Sequence, residues 1–188
     1  MTAEAKLAHS VGLTPNQISA IGIAFAIFSA LAYWKWHFHI LLQILASLLL
    51  LASGFCDALD GVLARLYGET TAFGGFLDSL LDRYADAIIF CGIILGGLCH
   101  LFWGLSALTG SLLVSYARAR AEAAGVKMET VGIAERAERL VILVIASFLS
   151  IAWLETLSWG VIVLAVLTNL TVLQRVVYFH RASKQKEE

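Results

Sequence analysis

The sequence predicts an all-α integral membrane protein: six transmembrane helices behind a short N-terminal interfacial helix, with both termini cytoplasmic. Three observations carry that expectation. The 188-residue chain is 60% hydrophobic and 14% charged, with one proline, where soluble domains average about 45–50% apolar and about 25% charged. Its apolar residues gather into six runs near the length a helix needs to cross a bilayer, about 20 residues. Its basic residues fall almost entirely on one side of those runs, the pattern of cytoplasmic loops.

Residues 1–16 form a mildly amphipathic segment, with Ala3, Ala5, Leu7, Ala8 and Val11 among Glu4, Lys6 and His9. Such a segment suits the membrane surface. Thr14-Pro15-Asn16 reads as a helix start, Thr14 capping and Pro15 in the first helical position. The spans are expected near 17–34, 40–60, 77–99, 102–121, 138–156 and 158–178, within a membrane domain at 17–180. The first lacks the basic, short-cored start of a cleaved signal peptide. Between the second and third spans, Leu66 to Phe76 contains Gly68, Gly74 and Gly75, so the chain can turn tightly there and admit a ligand. Gly125 to Gly132 is the second polar loop, and residues 181–188 are a charged tail expected to fray. Cys56, Cys91 and Cys99 form no C-x-x-C pair and are expected to be packing residues.

Lys6, Arg65, Arg83, Arg118, Arg120, Lys127, Arg136, Arg139, Arg175, Arg181, Lys184 and Lys186 would share one membrane face. The other face keeps Lys35, in the aromatic turn Trp34-Lys35-Trp36-His37-Phe38-His39. The net charge of −1 hides this asymmetry. The cell membrane is therefore the expected location, with the lipid bilayer as partner and no nucleic acid.

The chemistry is expected at four aspartates. Asp57 and Asp60 are three residues apart, and Asp78 and Asp82 are four apart, so on helices each pair projects from one face. Carboxylates in so apolar a chain are costly and therefore functional by default. Brought together, the two faces make an oxygen cage for hard divalent cations such as Mg²⁺ or Mn²⁺. A pair of such ions can bridge a pyrophosphate and stabilise the attacking and leaving oxygens. Gly61 and Ala64 leave room for a ligand against the helix carrying Asp57 and Asp60, and Arg65 offers a planar fork for phosphate oxygens. An ion transporter would place its site near the midplane, within repeated halves. Here no repeat is visible and the acids lie near one face. A scaffold would not need four costly carboxylates.

Residues 57 to 82 fit D-x2-D-G-x2-A-R-x8-G-x3-D-x3-D at every fixed position. This resembles the signature of the CDP-alcohol phosphotransferase family, and the six-span plan is similar to that family along essentially the whole chain. The resemblance implies that an acceptor hydroxyl attacks the β-phosphoryl of a CDP-linked lipid and expels CMP. It implies two metal ions, Mg²⁺ or Mn²⁺, one on Asp57, Asp60 and Asp78 and the other on Asp57, Asp78 and Asp82, with Asp82 also the general base. Gly61, Arg65 and Thr71 match CDP-binding positions, with Ala64, Gly74 and Asn16 beside them. A homodimer is implied as well, and Gly92, Gly96, Gly97, Gly104 and Gly110 offer small faces for close helix contact.

For the acceptor, Arg118, Arg120, Arg136, Arg139 and Arg175 should gather at the cytoplasmic ends of the last three helices, which fits an anionic molecule. Ser115 to Gly125 and Glu135 to Leu140 resemble the inositol-phosphate branch of the family. That implies inositol 1-phosphate as acceptor, held by Arg118, Arg175 and either Arg136 or Arg139, with Ser115 nearby. Arg118 and Ala137 stand where the bacterial form carries Lys and Pro, which points to the archaeal form and CDP-archaeol. Glycerol 3-phosphate as acceptor, or CDP-diacylglycerol as donor, is the alternative.

Overall fold

A computed structural model describes residues 1–128 and 131–187. Glu129 and Thr130 of the second polar loop, and Glu188 of the tail, lie outside the described residues. Among the described residues there are seven α-helices and no strand. The chain divides into two compact units, Met1–Gly96 and Gly97–Glu188.

The first unit contains α1 (Thr2–Ser10), α2 (Pro15–Lys35), α3 (Ile40–Tyr67) and α4 (Ala72–Leu95). α2 begins where the sequence signals a start. Thr14 Oγ1 accepts from the Gln17 N–H, while the Thr14 N–H donates to Gln17 Oε1 at 3.0 Å. This reciprocal cap satisfies two donors that a helix start otherwise leaves open. α2 ends in a 3₁₀ turn, Trp36–Phe38, where the Lys35 ammonium sits 3.9 Å over the Trp34 ring. His39 caps α3 through Nδ1, which accepts from the Leu41 N–H. Gly68 then stops α3 with φ of 68°, a left-handed conformation that glycine adopts at no steric cost. Thr71 starts α4, its Oγ1 accepting from the Gly74 N–H at 2.9 Å.

α2 packs against both α3 and α4. The approach to α4 is close because Gly92 and Gly96 carry no side chain. A Cβ on Gly92 would lie 2.5 Å from the Ala30 carbonyl oxygen, and one on Gly96 would meet the Tyr33 carbonyl oxygen. α1 lays Ala5 and Ala8 against Ile18, Cys56, Leu59 and Leu63, and its His9 ring stacks on Tyr67 at 3.6 Å.

The second unit contains α5 (Leu101–Ala123), α6 (Arg136–Leu149) and α7 (Glu155–Glu187). α7 packs on α5 and α6. Gly110 lets α5 approach Thr168, and Gly160 does the same opposite Ala146. Ala121, Val126 and Met128 close over Phe179 and Ala182 at one end.

Several expectations change. The glycines offered for contact with a second copy are partly occupied within the chain: Gly92 and Gly96 seat α2, and Gly110 seats α7. The helix within the apolar run expected at 138–156 is shorter than that run and begins earlier, since α6 spans Arg136–Leu149 and a turn precedes α7. At 1.5 Å per residue, 14 residues reach only about 21 Å. α7 runs on to Glu187, so the charged tail continues a helix instead of fraying. Three helical stretches among the described residues are long and apolar enough to cross a membrane: Pro15–Phe38, Ile40–Tyr67 and Glu155–Lys184. α4 carries Asp78, Asp82, Arg83 and Asp86, which take it off that list despite its 24 residues. The three cysteines are free thiols.

Candidate active site

Each of Asp57, Asp60 and Asp78 offers a carboxylate oxygen, and the three oxygens lie within 4.8 Å of one another. The helices explain the convergence. Residues three apart on α3 share a face, and the tight Gly68–Thr71 turn returns the chain so that the second turn of α4 brings Asp78 alongside. Asp60 is 5% exposed, whereas Asp57 and Asp78 are half-buried. Its Oδ2 accepts from Ser19 Oγ of α2 at 2.5 Å.

Three carboxylates this close repel unless a positive charge lies among them. The donor set is all oxygen and anionic, which suits a hard divalent cation and not a thiophilic one. On that chemistry these residues fit a divalent metal ion. Asp82, the fourth expected ligand, is not in the group. It lies one helical turn, about 6 Å, further along α4 than Asp78, and its carboxylate is 3.7 Å from Arg83 Nη1.

A pocket of about 170 Å³ adjoins the acids, with Asp60 and Asp78 in its wall. The six residues expected around a nucleotide, Asn16, Gly61, Ala64, Arg65, Thr71 and Gly74, all line it. The glycines work differently from each other. A Cβ on Gly74 would lie 2.9 Å from Thr71 Oγ1 and 3.4 Å from Asn16 Oδ1, so a side chain there would crowd the wall. At Gly61 the space is shared with Arg65, whose Nη1 would be 3.3 Å from a Cβ. The missing side chain thus lets the guanidinium fold back over α3 at the pocket. Thr71 has a structural duty as the α4 cap in addition to its place in the wall. Ser19 lines the pocket too, and sequence reasoning missed it. A serine in an apolar helix carries no signal of a carboxylate 41 positions away.

The five residues expected at an acceptor phosphate all belong to the second unit. Arg175 is 2% exposed. It donates through Nε to the Val131 carbonyl at 2.8 Å and through Nη1 to the Val114 carbonyl at 2.5 Å, with Nη2 3.6 Å from Glu135 Oε1. Arg118 and Arg139 are close enough to act on its charge. Arg139 is 5% exposed and donates to the Ala134 carbonyl at 3.2 Å. Arg118 is more open and pairs with Glu122 at 2.9 Å. Ser115 is half-buried, three residues before Arg118 on α5. Of the two alternatives on α6, Arg139 therefore lies in the charge neighbourhood of Arg175, while Arg136 opens the helix.

The described features are those of a helical membrane protein whose carboxylate cluster could hold a divalent cation beside a pocket with one arginine in its wall. The family model for CDP-alcohol phosphatidyltransferase matches residues 12–177, and the chain belongs to that family. It is 43% identical over 184 residues to the archaetidylinositol phosphate synthase of Pyrococcus horikoshii, covering 97% of this chain and 90% of that one. Among solved structures it resembles the phosphatidylinositol phosphate synthase of Mycobacterium tuberculosis with CDP-DAG bound, at TM-score 0.81 and 31% identity, covering 95% of this chain and 92% of that one. The same enzyme in complex with manganese and citrate gives TM-score 0.82 at 31% identity, with 95% and 88% covered.

Proposed function

We propose that this protein transfers an archaetidyl group from CDP-archaeol to a hydroxyl of 1L-myo-inositol 1-phosphate, releasing CMP and forming archaetidylinositol phosphate. The observation that carries the proposal is the convergence of Asp57, Asp60 and Asp78, the last two in the wall of a pocket lined by the six expected nucleotide contacts. Similarity along 97% of the chain to an archaetidylinositol phosphate synthase supports the choice of donor and acceptor. We take the protein to be multi-pass in the cell membrane, with α2 to α7 as its six spans and the site at the cytoplasmic face. The one-sided distribution of Lys and Arg supports that orientation.

In this reading Asp57, Asp60 and Asp78 hold Mg²⁺, with Mn²⁺ able to replace it. Once bound, the cation would neutralise pyrophosphate charge and stabilise the oxygen that leaves with CMP. Arg65 grips a phosphate oxygen of the CDP moiety, and Asn16, Thr71 and Gly74 form the wall against which the nucleoside rests. The acceptor oxygen bonds to the β-phosphorus as the bond from that phosphorus to the CMP oxygen breaks. CMP departs with the electron pair, and the hydroxyl proton passes to the Asp82 carboxylate. The acceptor's phosphate is held by Arg118, Arg139 and Arg175, with Ser115 as a further donor.

The test is CMP release by the purified protein in detergent with Mg²⁺ and CDP-archaeol, comparing inositol 1-phosphate, glycerol 3-phosphate and serine. Release with inositol 1-phosphate alone is expected. Release with glycerol 3-phosphate and none with inositol 1-phosphate would overturn the acceptor assignment.

A further inference from the structure

The hydroxyl of Ser19 belongs to α2, yet its shortest hydrogen bond goes to a carboxylate on α3. Ser19 Oγ lies 2.5 Å from Asp60 Oδ2 and 3.1 Å from the Pro15 carbonyl oxygen one turn back. It has one proton for two acceptors. The carboxylate is the nearer acceptor and takes the larger share of the proton, in a three-centre bond whose weaker arm reaches the Pro15 carbonyl. Asp60 is the most buried of the three clustered acids, at 5% exposure. Its orientation therefore depends on protein groups and little on water.

We propose that Ser19 is a positioning residue that fixes the Asp60 carboxylate for the divalent cation. The inference rests on the metal reading of Asp57, Asp60 and Asp78. A hydroxyl suits this duty better than a basic side chain would. It anchors one oxygen and restricts rotation about χ2 while leaving the full negative charge available to the cation. An Arg or Lys in its place would compete with the ion for the same charge. Ser19 also sits in the pocket wall one turn after Asn16. The first turns of α2 thus touch both the metal ligands and the nucleotide wall.

The test is Mn²⁺ binding to purified protein in detergent, without substrate, followed by titration calorimetry for the unaltered protein, Ser19→Ala, Ser19→Thr and Asp57→Asn. Outer partners of metal ligands are worth about tenfold to a hundredfold in affinity. Ser19→Ala should weaken Mn²⁺ by that factor, while Ser19→Thr, which keeps the hydroxyl, should stay within about threefold of the unaltered protein. The metal-free thermal midpoint of Ser19→Ala should match that of the unaltered protein, so that the loss is one of ligand orientation and not of folding. Equal Mn²⁺ affinity for Ser19→Ala and the unaltered protein, with Asp57→Asn weakened, would overturn the role of Ser19 and leave the metal site standing. Absence of Mn²⁺ binding by the unaltered protein would overturn both.

Discussion

Replacing Arg175 by alanine should damage the fold as well as binding, and the structure sets the size of the damage. The guanidinium makes two short bonds to backbone carbonyls, Val131 at 2.8 Å and Val114 at 2.5 Å, from a side chain that is 2% exposed. Hydrogen bonds involving a charged group contribute about 1.5–3 kcal/mol each, so their loss costs about 3–6 kcal/mol. The contact with Glu135 adds little, since that carboxylate is 36% exposed at 3.6 Å. At about 2–4 °C per kcal/mol for a chain of this size, the thermal midpoint in detergent should fall by at least about 6 °C. Arg118→Ala provides the contrast. Its ion pair with Glu122, a turn away, is 39% and 42% exposed, and exposed pairs of this kind are worth about 0.3–0.5 kcal/mol. Arg118→Ala should therefore keep its midpoint within about 2 °C while raising the KM for inositol 1-phosphate. Tryptophan fluorescence on heating, paired with KM for each substrate, reads both effects. An Arg175→Ala protein that melts with the unaltered one would refute the reasoning, because its buried bonds would then contribute nothing.

Other outcomes follow from the same geometry. Arg65→Ala should raise the KM for the CDP-lipid by about tenfold to a hundredfold, the worth of one charge-assisted hydrogen bond. The KM for the acceptor should hold, and equal rises in both would argue against a nucleotide role for Arg65. Chelation with EDTA should stop CMP release, and Mg²⁺ or Mn²⁺ should restore it; turnover that survives exhaustive chelation would count against the carboxylate cluster as a metal site. Gly92→Ala should lower the thermal midpoint, since the added Cβ would lie 2.5 Å from the Ala30 carbonyl oxygen. Overpacking of this kind costs about 1–3 kcal/mol. An unchanged midpoint would mean that α2 and α4 are not held as closely as described.

The carboxylate site was legible in the sequence because helix periodicity is local: Asp57 and Asp60 share a face by spacing alone. The Gly68 turn that returns Asp78 toward them is also written in adjacent residues. Asp82 lies outside the group that Asp57, Asp60 and Asp78 form. Four-residue spacing puts it on the face of Asp78 but a turn away along the axis, and Arg83 competes for its carboxylate. Ser19 was not legible, since its partner is 41 residues distant and only the packing of α2 on α3 brings them together. The seating of Gly92 and Gly96 against α2, and of Gly110 against α7, was not legible for a similar reason. Small residues on α4 and α5 signal a close contact without saying whether the partner is another helix of the chain or another copy. The different settings of Arg136 and Arg139 depended on the helix boundary, because α6 starts at Arg136, which is half-buried, and carries Arg139 a turn inside and buried. Hydropathy likewise ran 138–156 together, since the turn after Leu149 is itself apolar.

The most direct measurement is the mass of the lipid made by purified protein from CDP-archaeol and 1L-myo-inositol 1-phosphate with Mg²⁺, run beside Asp78→Asn. The unaltered protein should yield archaetidylinositol phosphate and Asp78→Asn none, with both proteins melting alike. Lipid product from Asp78→Asn, or from glycerol 3-phosphate but not inositol 1-phosphate, would contradict the proposed transfer.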